Sequence, residues 1–131
     1  MTARPRLDVR QILAAKMTEA ELDQAVRDLA KWLRLHCFSI RNSLAGRVSE
    51  PGFPDMVIVG AGGVLWRELK RQNGRLRPGQ IEYGSALQAA GQDWKVWRPS
   101  DLIGGVIEAE LRQLATPTSP RKAGNYQKGT R

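Results

Sequence analysis

Three ionisable residues stand at the ends of two neighbouring apolar runs in this sequence. Asp55 begins one run, and Glu68 and Lys70 end the next. The glycine-rich segment 60–63 between the runs favours a tight turn joining two adjacent strands, which would bring the three residues together. Two carboxylates and an ammonium group at one place could hold a divalent metal ion and a phosphate.

The chemistry that fits this group is hydrolysis of a phosphodiester. Side chains alternate between the faces of a strand, so Glu68 and Lys70 point the same way. Mg²⁺ prefers oxygen ligands, which the Asp55 and Glu68 carboxylates and the Leu69 backbone carbonyl could supply. Lys70 would then hold the attacking water or neutralise the phosphate.

The elements around these residues follow from apolar periodicity and turn residues. The predicted order is helix 18–33, strand 37–41, loop 42–54, strands 55–59 and 64–70, helix 78–91, strand 94–98 and one C-terminal helix to residue 115. Strand 55–59 is apolar on both faces after its acid, which is typical of a sheet covered on both sides. This order predicts an α/β domain with a short mixed sheet.

Both principal helices carry polar residues in their first turn. Thr18 and Glu21 have the spacing of a capping box, and the apolar stripe of that helix runs to Trp32, which we expect to be buried. In the second helix the stripe of Tyr83 and its neighbours, extended backward by three residues, reaches Gln80. We therefore expect Gln80 to face inward from the first turn.

Composition limits the class of protein. The chain has 131 residues and 21 Lys and Arg against 13 Asp and Glu, a net charge of +8 that suits a polyanionic partner. A single cysteine, Cys37, excludes an internal disulfide. No apolar run is long enough for a membrane span or signal peptide, so we expect a cytoplasmic protein, or one in the host cytoplasm if it is viral. We divide the chain into a basic segment (1–17), a domain (18–115) and a disordered basic tail (116–131).

Several motifs in order match a known family. They are Gly52-Phe53-Pro54-Asp55, an apolar strand, Glu68-Leu69-Lys70, Gly74-Arg75-Leu76 and then Gln80. In these motifs, over roughly residues 18 to 102, the chain resembles the virus-type replication-repair nuclease (VRR-NUC) domain family of the PD-(D/E)xK nuclease superfamily.

The resemblance implies a restriction-endonuclease-like core (αβββαβ) followed by a C-terminal helix. It also implies a Mg²⁺-dependent endonuclease, with Mn²⁺ as a substitute, acting on junction-like or otherwise branched DNA in replication, repair or recombination. Asp55 and Glu68 would bind metal, Lys70 and Gln80 would complete the active site, and Glu21 would be an additional acid near the metal. Family members without extra domains resemble dimeric junction resolvases, which implies a homodimer.

Other interpretations remain open from sequence alone. The capping box explains Glu21 without any chemistry, and Gln80 could instead bond to the backbone at its helix end. The arginines that could contact phosphates, or simply face solvent, are Arg41, Arg67, Arg71, Arg75 and Arg77. A non-catalytic nucleic-acid-binding protein with the same fold, and a nuclease acting on RNA, are the alternatives in function.

Two further site types are excluded. The segment 60–63 lacks the third glycine and the following helix of a dinucleotide-binding fingerprint. His36 and Cys37 are the only residues of their kinds, which excludes a zinc site built from them and a serine–histidine–aspartate triad.

Overall fold

In the described part of the chain, five helices flank a four-stranded sheet. The computed structural model describes Arg6 and residues 8–40 and 50–118. The helices are α1 (Val9–Lys16), α2 (Glu19–Trp32), α3 (Pro78–Ala89), α4 (Pro99–Ile103) and α5 (Val106–Ala115). The strands are β1 (His36–Ser39), β2 (Met56–Gly60), β3 (Gly63–Leu69) and β4 (Asp93–Trp97). Each predicted strand lies within about two residues of its observed position.

The sheet has the order β1-β2-β3-β4. The first two pairings are antiparallel and the β3–β4 pairing is parallel, with α3 in the connection between those two strands. Gly60 pairs with Gly63 across the β2–β3 turn, as the glycine-rich segment predicted. The predicted α/β architecture with a short mixed sheet is therefore confirmed.

One face of the sheet is covered by α2 and α5 and forms the core. Helical spacing gives α2 and α5 one apolar side, and alternation gives β2 and β3 one apolar face. The apolar sides of the helices pack against that face of the sheet. The fully buried members include Leu22, Val26, Met56, Ile58, Leu69, Trp97, Ile107 and Leu111. A buried aspartate ties α2 to β1, since Asp23 accepts hydrogen bonds from Ser39 Oγ and from Arg27 Nε, both at 2.7 Å.

The opposite face of the sheet is only partly covered. Helix α3 packs on β4, where Gly84 lies so close to the Trp94 ring that a Cβ would be 2.5 Å from it. Phe38, Val59 and Val64 on β1, β2 and β3 stay 51%, 41% and 36% exposed. The prediction that strand 55–59 is covered on both sides is therefore wrong: α3 covers the β4 half of this face and leaves the other half open.

The prediction that Arg67 could contact phosphates or face solvent is also wrong, because this residue is fully buried. Its guanidinium donates to the Asp93 carbonyl (2.7 Å) and to Glu110 Oε1 (2.9 Å), and lies 4.8 Å from the centre of the Trp97 ring. Burial raises the pKa of Glu110, but hydrogen bonds and charge from Arg67 outweigh it, so the net pKa is lowered. Arg67 thus joins β3 to α5 as a structural residue.

Two predictions about helix ends are also wrong. Trp32 is 78% exposed, because α2 ends there and Leu33 and Leu35 turn back into the core in its place. The C-terminal helix divides into α4 and α5 at Gly105, whose φ of +86° no helix can continue.

The remaining predictions concern the ends of the chain and the long loop. The basic segment 1–17 contains α1 (Val9–Lys16), which packs against α4. Arg41 and residues 119–131 of the predicted disordered tail lie outside the described residues. No helix in the described ranges is both long enough and apolar enough to cross a membrane.

Candidate functional site

Asp55 and Glu68 face each other across the β2–β3 pair. Met56 is opposite Arg67 in the ladder, so one step further places Asp55 beside Glu68 on the other face of the sheet from Arg67. The Leu69 backbone N–H donates to Asp55 Oδ2 at 2.8 Å, which fixes the carboxylate against β3. The hairpin predicted from the glycine turn therefore brings the two acids together.

The Glu68 carboxyl is buried and only half satisfied. Glu68 is only 1% exposed, and its Oε2 atom accepts a hydrogen bond of 2.6 Å from Gln80 Nε2. Oε1 is buried too, and among the described residues nothing donates to it. Buried polar atoms are normally hydrogen-bonded, so we expect a hydrogen-bond donor or a cation to bind this oxygen.

The pKa of the Glu68 carboxyl is raised from 4.5 to about 9, first by burial and then by the negative charge of the neighbouring Asp55 carboxyl. Lys70 acts in the opposite direction and Glu19 adds a smaller increase. In the absence of a cation Glu68 therefore keeps its proton at neutral pH, because a second negative charge beside Asp55 is costly in a buried position. A divalent cation would replace that proton.

Gln80 reaches the site from the first turn of α3, as the stripe predicted. While Nε2 donates to Glu68, Oε1 accepts from the Arg77 backbone N–H at 2.8 Å. This turn approaches the loop before β2 closely: a Cβ on Gly52 would lie 2.4 Å from the Gly79 carbonyl oxygen. The glycine in the Gly-Phe-Pro-Asp motif is therefore what allows α3 to approach.

Lys70 follows β3 directly and is 8% exposed. Its backbone N–H donates to the Trp97 carbonyl at 3.1 Å, which continues the β3–β4 ladder by one residue. Its ammonium lowers the pKa of Glu68, so the positive charge lies close to the acid pair. The structure thus gathers Asp55, Glu68, Lys70 and Gln80.

The first turn of α2 carries two acids, Glu19 and Glu21, and the resemblance implies Glu21 as the one near the metal. Glu21 caps the helix, with Oε1 accepting from the Thr18 backbone N–H at 2.9 Å, and the hydrogen bonds from Thr18 lower its pKa. Glu19 is the acid of α2 whose charge acts on Glu68. Extending the α2 stripe backward from Leu22 by three residues would have found it.

The candidate nucleic-acid residues are exposed where the structure describes them. Arg71, Arg75 and Arg77 lie between β3 and α3, on the segment that links Lys70 to Gln80. Arg98 holds this segment in place, since its guanidinium donates to the carbonyls of Arg71 and Gly74 at 2.8 and 2.7 Å. The exposed arginines are therefore displayed on an anchored turn at the rim of the acid pair.

The donor set fits a hard cation with few protein ligands. No group of three or more His, Cys, Asp or Glu residues within residues 8–40 and 50–118 is arranged to hold a metal. Mg²⁺ does not need such a group, because it usually binds through one or two carboxylates and keeps several waters. Asp55, Glu68 and its orphaned oxygen match that requirement.

The class defined by the fold and site is an α/β domain in which a buried glutamate lies beside an aspartate at the ends of the two central strands. No protein-family model matches the chain, and no match to it was found among curated proteins or among solved structures.

Proposed function

We propose that this protein is a Mg²⁺-dependent DNA endonuclease with a restriction-endonuclease-like core of the PD-(D/E)xK type. The observation that carries the proposal is the Glu68 carboxyl, which is buried beside a second acid with one oxygen lacking a donor among the described residues. Such an arrangement is costly for folding, so it favours a bound cation as its reason.

The groups that would hold the cation are the Asp55 and Glu68 carboxylates and the Leu69 carbonyl. Glu19 is the acid of α2 whose charge acts on Glu68. Mn²⁺ would substitute for Mg²⁺, because both accept oxygen ligands. When bound, the metal would stabilise charge on the phosphoryl oxygens and lower the pKa of a coordinated water.

The protein groups would prepare this site before the substrate arrives. The Leu69 N–H holds Asp55, and the Gln80 amide holds Glu68, so both carboxylates are oriented without the substrate. Lys70 would neutralise a phosphate oxygen or orient the attacking water, since its positive charge already acts on Glu68. Preorganised charge of this kind is the main source of phosphoryl-transfer catalysis.

The proposed substrate is branched or junction DNA, in replication, repair or recombination. Arg71, Arg75 and Arg77 would contact its backbone next to the acids, in keeping with the charge of +8. We also propose a homodimer, in which the open sheet face of Phe38, Val59 and Val64 packs against a second copy. A cytoplasmic location is part of the same proposal.

The test is cleavage of duplex, single-stranded, flap and four-way-junction DNA, each with Mg²⁺ and with a chelator. We expect metal-dependent cleavage that falls by at least about 100-fold in Asp55→Asn and Lys70→Ala, a typical loss for a charge-stabilising group. Glu108→Gln, which removes an exposed acid on α5, should cleave normally.

Undiminished cleavage by both site variants would refute the assignment. Salt-sensitive binding without cleavage of any DNA form would instead support the non-catalytic nucleic-acid-binding protein. Cleavage of the matching RNA substrates alone would keep the site and change the substrate.

A further inference from the structure

The carboxyl end of α2 presents an exposed aromatic surface that the proposed site does not use. Trp32 is 78% exposed and lines an open groove of about 650 Å³ with Asp28, Lys31 and Arg34. A single exposed apolar side chain is common in proteins and carries little meaning alone. The residues beside Trp32 distinguish this surface from an ordinary exposed side chain.

Arg34 occupies a backbone conformation that normally belongs to glycine. Its φ is +61°, and it closes α2 in a Schellman motif, with the Leu35 N–H bonded to the Ala30 carbonyl at 2.8 Å and the Arg34 N–H bonded to that of Lys31 at 3.0 Å. Glycine fills this position most often because it has no Cβ to clash. An arginine in this strained conformation raises the hypothesis that its side chain has a use.

The positive charges here are not neutralised within the described residues. Neither the Lys31 ammonium nor the Arg34 guanidinium has a hydrogen bond or ion pair there, and a second groove of about 480 Å³ shares both residues. Arg27, one turn earlier, is by contrast bound to Asp23 at 2.7 Å. Two cations without partners in this part of the chain therefore flank an exposed indole.

We propose that Lys31, Trp32 and Arg34, here named the α2-end surface, bind an unpaired segment of a nucleic-acid strand. A base would stack on the Trp32 ring, and the adjacent phosphates would contact Lys31 and Arg34. The strand must be unpaired because a duplex hides the faces of its bases. The choice of a nucleic acid over an acidic protein rests on the proposed function.

The position of this surface sets the length of strand involved. Helix α2 is 14 residues long, with Glu19, whose charge acts on Glu68, as its first residue and Trp32 as its last. That length is about 20 Å at 1.5 Å per residue. A strand touching both ends of the helix would cover about this distance, so the surface would bind the unpaired arm beside a cleavage point.

The experiment measures binding of labelled oligothymidine of about twelve nucleotides, a length within the usual range of single-strand binding sites, by fluorescence anisotropy with the full chain and chelator present. We expect Trp32→Ala to weaken binding about tenfold and Trp32→Phe to restore part of it, since loss of one base–aromatic stack has an effect of this size. Asp28→Asn, which removes the acid from the groove, should strengthen binding. Val106→Ala and Arg112→Ala, which alter an exposed apolar residue and an exposed charge on α5, should change it little.

Arg34→Gly separates binding from folding. Glycine relieves the backbone strain, so we expect the thermal midpoint to stay the same or rise while oligothymidine binding weakens. A purely structural role for Arg34 would instead lower the midpoint and leave binding unchanged. That result would overturn the use proposed for this residue.

Equal binding by wild type and Trp32→Ala would overturn the proposal. So would displacement of oligothymidine by polyglutamate at equal charge concentration, which would indicate an acidic protein partner. If cleavage depends on Asp55 but binding does not depend on Trp32, this inference alone fails. If binding depends on Trp32 and no DNA is cleaved, the proposed nuclease activity alone fails.

Discussion

Gln80 donates its side-chain amide to Glu68 at 2.6 Å while accepting the Arg77 backbone N–H at 2.8 Å. Exchanging the amide oxygen and nitrogen would break both bonds, so the orientation is fixed by its partners. One residue therefore caps α3 and holds the buried carboxyl of β3.

Gln80→Ala should reduce cleavage by about 10- to 100-fold, the usual loss when a residue that orients a metal ligand is removed. Metal affinity, measured by calorimetry, should fall with it. Gln88→Ala is the matched control on the same helix, because the Gln88 amide bonds only to the Trp94 carbonyl among the described residues. Equal cleavage by both variants would contradict the role of Gln80.

Glu68 should make the metal-free protein less stable as pH rises. Its pKa is raised from 4.5 to about 9 in the folded state, so between these values the folded protein keeps a proton that the unfolded chain has lost. Stability gained from that proton is complete below pH 4.5 and disappears as pH rises towards 9. Thermal midpoints of wild type and Glu68→Gln should therefore separate with pH, the variant exceeding wild type by about 5 °C or more at alkaline pH.

Mg²⁺ should remove most of this difference, because the bound cation takes the place of the proton. The comparison uses midpoints at several pH values with chelator and with Mg²⁺. Parallel pH profiles for wild type and Glu68→Gln would show that Glu68 titrates normally and would remove the basis of the metal site.

Gly52→Ala should impair both stability and cleavage. The new methyl group would lie 2.4 Å from the Gly79 carbonyl oxygen, so α3 would have to move and take Gln80 away from Glu68. Gly91→Ala is a control for backbone strain alone, since Gly91 has a similar positive φ with nothing within 4 Å of an added Cβ. We expect Gly91→Ala to cost about 1 kcal/mol and to leave cleavage intact, and Gly52→Ala to cost more in urea denaturation.

Arg67→Ala should cost about 3–5 kcal/mol of unfolding free energy, because it leaves Glu110 partly buried without its main partner. Arg71→Ala, at an exposed position, should change stability by less than about 0.5 kcal/mol and weaken DNA binding instead. Urea denaturation and anisotropy titrations of folded protein would measure both. A stable Arg67→Ala variant with weakened DNA binding would reverse our assignment of these two arginines.

The open sheet face makes the proposed dimer testable. Val59→Glu places a charge in the middle of the Phe38, Val59 and Val64 patch and should convert a dimer into a monomer in analytical ultracentrifugation. Val106→Glu makes the same change at an exposed position on α5 and should remain dimeric. A monomeric wild-type protein would refute the dimer without affecting the metal site.

Local patterns were sufficient to predict the part of the candidate site that depends on neighbours in sequence. The glycines of segment 60–63 set the hairpin, and a period of two put Glu68 on the face away from Arg67. A helical step of three reached Gln80. The same step from Leu22 reaches Glu19, whereas the resemblance implied Glu21 as the additional acid.

The rest depended on contacts distant in sequence. Arg67 shares its chemistry with the exposed arginines, and only the packing of α5 brings Glu110, 43 residues away, to it. Trp32 continues an apolar stripe, and its exposure follows from where α2 ends relative to the core. Coverage of the second sheet face likewise depends on where α3 docks, which periodicity does not specify.

The β2–β3 hairpin also sets the order in time in which the candidate site assembles. Asp55 and the Leu69 amide are only 14 residues apart, and their contact lies within one hairpin. Hairpins close in about 1–10 μs, whereas α3 packs on β4, which joins the sheet through a parallel pairing of strands distant in sequence, a slower kind of contact to form. The folding chain would therefore bring Asp55 and Glu68 together first and form the hydrogen bond from Gln80 to Glu68 last. A chain at a late stage of folding would then have both carboxylates in place before the amide that orients Glu68.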